Sequence, residues 1–456
     1  MLPLVIMCAT TSAARSRDLR MQPRMVSAKA GSGQAGGADY SSVDLGNSAL
    51  VTLMITPRGR GTFRDQAQEV LSAMRTALEK QPEPLVVTVQ TVFLSDAHYQ
   101  AEYEQIFADF NSSKLPVTNY VLQAPCCGAA LALEAWAIGG KSVRVEHFSS
   151  NTLAIAYDGM RWIYCGGVEP AASLREAYPQ TQDALGCLRA ALAQAGSSFE
   201  RVVRTWFFLG GITESEAEVQ RYYELNRART DFYHDLHFHC SSLESSAPRS
   251  VYPASTSIGM AGRGLVASCL ALDTRRDDVF LLPLENPQQI PAYAYHSKHS
   301  PQSPKFSRAV ALVFGNYATP WVSGTASIVN SESCHPDDPE KQTEQTIDNI
   351  ERLIAAENFT LHGLKGAGAS LHDLAKIRVY LKRPEDLAKC QAICERRFGA
   401  VPAIYAVADI CRPELLVEIE GVAFSRCSGA DLPPLKQALS LPSAPPRRHR
   451  GKASTS

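Results

Sequence analysis

Three times along this chain, a β-type run ending in an aromatic and a leucine is followed by an aromatic-bearing helical segment and then, after a loop, by a proline. The first pass runs Val86 to Leu94, then Tyr99 to Phe110, then Pro116. The second runs Val202 to Leu209, then Val219 to Tyr233, then Pro253-Ala254-Ser255-Thr256. The third runs Lys376 to Leu381, then Leu387 to Phe398, then Pro402-Ala403. A repeat at domain-sized spacing constrains the fold more than composition does. It implies one supersecondary unit copied three times, with clefts between copies where chemistry can sit.

The third copy is the clearest. Strands are predicted at Ala309 to Val313 and Ala318 to Ile328, then a helix from about Asp338 to Ala356 on which Ile347, Ile350, Leu353 and Ile354 keep helical spacing. Asp337 or Asp338 with Pro339 supplies its start. Strand Ala375 to Leu381, helix Pro384 to Phe398, strand Ala403 to Ala408 and strand Leu415 to Phe424 complete the order β-β-α-β-α-β-β. The second copy repeats that order, opening on a hairpin around Asp158-Gly159. The first does so in degenerate form from Ala49 onward. The division is a leader at 1–45, units at 46–145, 146–285 and 286–427, and a tail at 428–456.

Composition narrows the function classes. With 45% hydrophobic and 20% charged residues the chain has ample core for its 456 residues. A formal net charge of −1 sets up no field for nucleic acid or a membrane surface. No apolar run approaches the roughly 20 residues that span a bilayer. The twelve cysteines lack zinc-ribbon or redox spacing, which points to buried free thiols in a reducing compartment. His234, His237 and His239 precede Cys240 without metal-site spacing, so no metal is expected. Gly166-Gly167 and Gly210-Gly211 stand outside any G-x-G-x-x-G pattern, so no dinucleotide fold is supported. The leader, with Arg15, Arg17, Arg20, Arg24 and Lys29, reads as disordered or as an organellar transit peptide. The Pro- and Ser-rich tail, with Arg447, Arg448 and Arg450, reads as a solvated end. A cytoplasmic location is expected, or an organellar one if the leader is a transit peptide.

The segments Val322-Ser323-Gly324, Asn349-Ile350, Ile377 to Leu381, Pro402-Ala403 and Val417-Glu418-Ile419-Glu420 resemble the Rid (YjgF) family, whose members are homotrimers with active sites between subunits. Three copies in one chain resemble the chorismatases, which carry that fold in one longer chain and split chorismate into pyruvate and a ring product. This narrower resemblance rests on Asn226 to Tyr233, Pro253 to Gly259, Ala292-Tyr293, Ser303 to Ala309, Ser323 to Ile328 and Cys411 to Glu418, in that order. It implies an α+β fold of three Rid-like units forming a monomeric pseudo-trimer, with chorismate as the small-molecule substrate and no cofactor. The Rid imine deaminases carry an Arg two residues after the proline that opens the penultimate strand. Here Ile404 stands there, and an apolar side chain cannot clamp a carboxylate.

Chorismate is a dicarboxylate with an enolpyruvyl ether. Cleaving that ether by acid requires a proton on the enol methylene carbon, and a partly buried Glu that stays protonated can supply it. Glu418 and Glu420 share one face of the last strand, so the pattern leaves both as candidates. The resemblance gives the catalytic position to Glu418. It places Arg249 and Arg308 at carboxylate-binding positions, as suits a fork that cannot lose its charge, and matches Tyr233 and Tyr293 to positions whose phenols bond a carboxylate. It also relates Cys411 paired with Gly324 to members that aromatise the ring to 3-hydroxybenzoate, whereas members with alanine at both places hydrolyse chorismate to a dihydroxycyclohexadiene acid. Gly324 leaves room, and a thiol with a lowered pKa can act as nucleophile or acid–base group. Packing as a small hydrophobe is the competing reading of Cys411. Arg378 alternates with apolar Ile377 and Val379 and suits a structural ion pair as well as a ligand.

Overall fold

Strand alternation decides which residues meet in this protein. The computed structural model describes residues 38–111, 115–240, 251–296 and 301–427. The leader and tail otherwise lie outside the described residues.

The first unit comprises β1 (Ala38–Asp44), β2 (Ala49–Ile55), α1 (Phe63–Glu79), β3 (Val86–Leu94), α2 (Tyr99–Phe110), β4 (Val117–Val121) and β5 (Leu131–Gly139). The second has β6 (Arg144–Ser149), β7 (Thr152–Tyr157), β8 (Met160–Val168), α3 (Ala177–Gln194) and β9 (Val202–Gly210). It continues with a two-residue ladder, β10 (Ser215–Glu216) and β11 (Val219–Gln220), then α4 (Arg221–Tyr233), β12 (Ala254–Met260) and β13 (Leu265–Thr274). The third opens with β14 (Val279–Leu284), β15 (Ala309–Phe314), β16 (Tyr317–Ala326) and a ladder, β17 (Ile328–Val329) with β18 (Glu332–Ser333). It ends with α5 (Pro339–Ile354), α6 (Ala356–Leu361), β19 (Leu374–Leu381), α7 (Leu387–Phe398), β20 (Ala403–Val407), β21 (Val417–Ala423) and β22 (Ser425–Arg426).

The three sheets share one strand order: β1-β2-β5-β3-β4, β7-β8-β13-β9-β12 and β15-β16-β21-β19-β20. In each, the last two strands of that order pair in parallel (β3 with β4, β9 with β12, β19 with β20), and the other neighbours run antiparallel. Phe93, Phe208 and Tyr380 therefore occupy corresponding strands. Local signals act as the sequence suggests. Thr62 and Asp65 close a capping box on α1, and Asp338 caps α5 with Pro339 in its first turn. Asp158 (φ 47°) and Gly159 (φ 74°) both turn left-handed, the backbone a two-residue hairpin requires.

Two boundaries are corrected. Residues 38–44, assigned to the leader, form β1 along β2, burying Ala38, Ser41 and Val43. The short run ADYSSVD has few β-branched residues, so its strand character comes from pairing and burial rather than propensity. Residues 279–284, assigned to the second unit, form β14, which pairs with β15 and so extends the third sheet.

One face of each sheet packs on its own helices. Leu131, Leu133 and Ala135 meet α1 residues Val70, Leu71 and Met74; Phe207 and Leu209 meet α3; Val379, Val417 and Ile419 meet α5. The opposite faces meet one another in a shared core containing all four tryptophans, Trp136, Trp162, Trp206 and Trp321, with Phe93, Phe208 and Tyr380. Those four rings form a chain of contacts, Trp136 lying 5.5 Å from Trp321 and 6.3 Å from Trp206 between centroids. Aromatic pairs in such arrangements add about 0.5–1.5 kcal/mol each beyond their buried area.

Candidate active site

On β21, Val417 and Ile419 point toward the helices, so Glu418 and Glu420 point the other way, toward the other sheets. Both are buried. Their surroundings differ completely, which separates the two candidates that the sequence pattern leaves equal.

Glu420 is saturated with donors. Arg378 Nη1 and the Tyr380 hydroxyl each donate to Oε1 at 3.0 Å. Trp206 Nε1 donates to Oε2 at 3.0 Å, and Arg204 Nη2 and the Thr256 hydroxyl donate to the same oxygen. Burial alone would raise its pKa, but Arg378, Arg204 and Lys376 outweigh burial and hold it below the ordinary value, so Glu420 is ionised. Glu420 is thus a salt-bridged structural carboxylate in mid-sheet, on a strand flanked by β16 and β19. Arg378 is likewise a structural ion-pair partner. Its Nε donates at 2.5 Å to Glu134, on β5 of the first unit, which also receives Lys376.

Among the described residues no group donates a hydrogen bond to Glu418, and its carboxyl faces a cleft. Burial first, and then the charge of Glu420, push its pKa up to about 8 against the opposing pull of Arg204 and Arg308. It is therefore a protonated carboxylic acid at neutral pH, with no described side chain holding its proton in place.

The cleft lies between the second and third units. The second supplies Tyr222 and Tyr223 from α4 and Ser255 and Ser257 from β12. The third supplies Arg308, Gly324, Cys411, Arg412, Glu418 and Tyr295, with Pro304, Phe306, Ala326 and Ile328 as apolar wall. Backbone contact joins the halves: the Gly324 N–H donates to Thr256 Oγ1 at 2.9 Å and the Ser255 N–H to Ser323 Oγ at 2.9 Å. A Cβ on Gly324 would overlap Glu418 Oε1 and stand 3.0 Å from its Cδ, so glycine is what lets the carboxyl occupy this position. Arg308 is buried, donates to the Tyr295 hydroxyl, and has no partner for its Nε among the described residues.

The structure thus brings Glu418, Cys411, Arg308 and Gly324 to one cleft. Tyr233 does not line it. Tyr233 sits in the helix-side core of the second unit, stacked on Tyr252 at 6.2 Å and edge-on to Phe238 at 4.9 Å. Tyr293 contacts Tyr252 at 5.5 Å and stands outside the cleft lining. Their places at the cleft are taken by Tyr222 and Tyr295. Arg249 lies outside the described residues. Burial, with Glu418's charge second, pushes the Cys411 thiol up to about 12, so it is a neutral S–H and the lowered pKa that a thiolate nucleophile needs is absent. Arg412, next to Cys411, was not singled out from sequence, nor was Arg229. Arg229 is fully buried behind Ser255, donating to its Oγ at 3.2 Å and to Asn226 at 2.7 Å. The signal for both was an Arg inside a segment already marked by the resemblance. Ile404 is buried in the shared core, and no group of His, Cys, Asp and Glu among the described residues is placed to hold a metal ion.

A buried, protonated carboxyl in a half-apolar cleft beside two guanidiniums is the kind of site that enzymes acting on small anionic molecules carry. Residues 298–425 match the family model described as Endoribonuclease L-PSP. The chain is 32% identical to a 3-hydroxybenzoate synthase of Streptomyces hygroscopicus over 295 residues, 63% of this chain and 80% of that protein. It is 31% identical to a chorismatase of Streptomyces rapamycinicus over 285 residues, 59% of this chain and 78% of that one. A crystal structure of a chorismatase superposes with a TM-score of 0.60 at 22% identity, covering 82% of this chain and 98% of that one, a likeness of fold. The chain belongs to the chorismatase family. No helix among the described residues is long and apolar enough to cross a membrane.

Proposed function

We propose that this enzyme cleaves the enolpyruvyl ether of chorismate to pyruvate and 3-hydroxybenzoate, with Glu418 as the acid. The observation that carries the reading is the Glu418 carboxyl: buried, neutral and free of competing hydrogen bonds where a substrate would lie. The overall reaction is an isomeric split that consumes no net water and no electrons, so it asks for no cofactor. The proton of Glu418 goes to the enol methylene carbon, and the electron pair of the C=C bond forms the new C–H bond. The positive charge left on the ether carbon is met by the carboxylate that Glu418 has become. Water adds to that carbon and returns one proton to Glu418; the resulting hemiketal collapses to pyruvate as the ether C–O bond breaks and its hydroxyl proton passes to the departing ring oxygen. Loss of water from the ring then gives the aromatic product.

Arg308 and Arg412 are the groups on the cleft wall suited to the substrate carboxylates, and the Tyr222, Ser255 and Ser257 hydroxyls supply the remaining polar contacts. Cys411, as a neutral thiol on the cleft wall, is a weak donor rather than a nucleophile. The three units are read as copies packed around a pseudo-threefold axis with sheets inside and helices outside. The common strand order and the shared tryptophan core support that arrangement, as they do a chain that acts as a monomer. Imine deamination is disfavoured by Ile404, which offers no charge and is turned into the core. Incubating the purified protein with chorismate and separating the products tests the reading. Pyruvate with 3-hydroxybenzoate is expected, and failure to consume chorismate would overturn it.

A further inference from the structure

Among the described residues the first unit lines no part of the cleft, yet its Glu134 is linked through Arg378 to Glu420, the neighbour of Glu418. Five buried ionisable groups form a continuous network through the shared core. Lys376 and Arg378 on β19 both bond Glu134 on β5. Arg378 also bonds Glu420 at 3.0 Å, and Arg204 on β9 bonds Glu420 from the other side. All five are at most 4% exposed. Every cation in the network is thereby committed to one of two carboxylates, and none donates to the third carboxylate, Glu418. Thr256 completes the arrangement. It accepts from Arg204 at 2.6 Å and from the Gly324 N–H at 2.9 Å while donating to Glu420, so its hydroxyl has nothing left to offer Glu418.

We infer that the two carboxylates of this network are positioning groups that keep Glu418 in its acid form, Glu420 by its own charge and by holding Arg378 and Arg204, Glu134 by holding Lys376 and Arg378, so that Glu134 of the first unit tunes an active site it never touches. The inference rests on reading Glu418 as the acid. Glu420 acts twice: it presents a negative charge along the strand from Glu418, and it captures the two guanidiniums that would otherwise ionise Glu418. Glu134 acts once removed, by holding Lys376 and Arg378 on the far side of Glu420. The other titratable groups toward Glu418 are Cys411, Tyr222, Tyr223, Tyr295, Arg308 and Arg412 on the cleft wall and Tyr380 on β19. Cys411 and Tyr222 are both held neutral by burial. Of the cations, Arg204 within the network and Arg308 on the cleft wall both pull Glu418 toward ionisation, and the substrate's carboxylates would offset Arg308.

The network makes predictions of opposite sign for substitutions within it. Residues two apart on one strand face stand roughly 6.7 Å apart. At an effective dielectric constant of about 20, one unit charge at that distance moves a titration by between about one and two pH units. Glu420→Gln should therefore lower the Glu418 midpoint by that amount, and Glu134→Gln should lower it by less. Arg204→Gln should raise it. The readout is the infrared band of the protonated Glu418 carboxyl, isolated by subtracting the Glu418→Gln spectrum in each background and titrated without substrate from about pH 5 to about pH 10. The alkaline limb of kcat/KM is measured in parallel.

Opposite shifts for Glu134→Gln and Arg204→Gln support the inference, because damage to one ion network would move both in the same direction or neither. Shifts of the same sign, or an unmoved midpoint in all the variants, overturn it. Should Glu420→Gln not fold, the Glu134 and Arg204 pair decides alone. If the band shifts as expected while the kinetic limb stays fixed, the network assignment stands and the role of Glu418 as the acid falls.

Discussion

Glu418→Gln should make the folded protein more stable at neutral pH while removing its activity. In the folded chain the carboxyl ionises at about 8, chiefly because burial disfavours its charge and then because Glu420 repels it; its ordinary value is 4.5. A carboxyl whose folded pKa is raised releases a proton on unfolding throughout the window between those values. Its contribution is intact below 4.5, and native stability is lost steadily as pH rises toward 8. At one pH unit per 1.36 kcal/mol, the cost of burying Glu418 is below about 1 kcal/mol at pH 5 and close to 4 kcal/mol at pH 7.5. Glutamine has nearly the same shape, cannot ionise, and breaks no hydrogen bond, since none is donated to Glu418 within the described residues. Urea unfolding of both proteins at the two pH values is the assay. The variant should gain about 3 kcal/mol more, relative to wild type, at the higher pH than at the lower. A stability difference that does not change with pH, or a variant that loses stability as pH rises, would refute the claim that the fold holds Glu418 as a neutral acid. Turnover should fall by about 10² to 10⁴, the usual worth of a general acid.

Three further outcomes are expected. Gly324→Ala places a methyl onto the Glu418 carboxyl and 3.2 Å from Thr256 Cγ2, so the carboxyl must swing away; chorismate turnover should drop by about 10², with a stability loss of only about 1–3 kcal/mol in chemical denaturation. Cys411→Ala should divert product toward the dihydroxycyclohexadiene acid while chorismate is still consumed; chromatography showing only 3-hydroxybenzoate at an undiminished rate would make Cys411 a packed thiol. Arg308→Lys keeps the charge but loses the planar fork and the hold on Tyr295, so KM should rise by about tenfold or more, with kcat less affected, in steady-state kinetics.

The repeat was legible because each copy spends its β-branched and aromatic residues on one strand, giving Phe93, Phe208 and Tyr380 the same place in three sheets. Glu418 was legible through alternation and resemblance together: alternation put two carboxylates on one face, and the resemblance chose between them. Tyr233 misled because α4 carries aromatics on several faces, Tyr222 and Tyr223 near its start and Phe232 and Tyr233 at its end. With no apolar stripe to set its phase, the sequence could not show that the first pair turns to the cleft and Tyr233 to the core. The strand β1 was hidden for a related reason, since a polar run becomes a strand only when β2 offers a partner.

The partners of Arg378 lay beyond pattern altogether. Its alternation with Ile377 and Val379 marks an inward charge, but Glu134 is 244 residues away in the chain and Glu420 is 42 away. That distance has a consequence for how the copies depend on one another. The inner faces carry Glu134 from the first unit, Arg204 from the second and Lys376, Arg378 and Glu420 from the third. Arg378 and Glu420 pair within the third unit, but a unit folding alone would leave Glu134, Arg204 or Lys376 without its partner, at a cost of several kcal/mol for each one buried. Only when all three sheets close on each other does every charge find its opposite. The candidate site between the second and third units therefore needs the first to be present, even though none of the first unit's described residues lines the cleft.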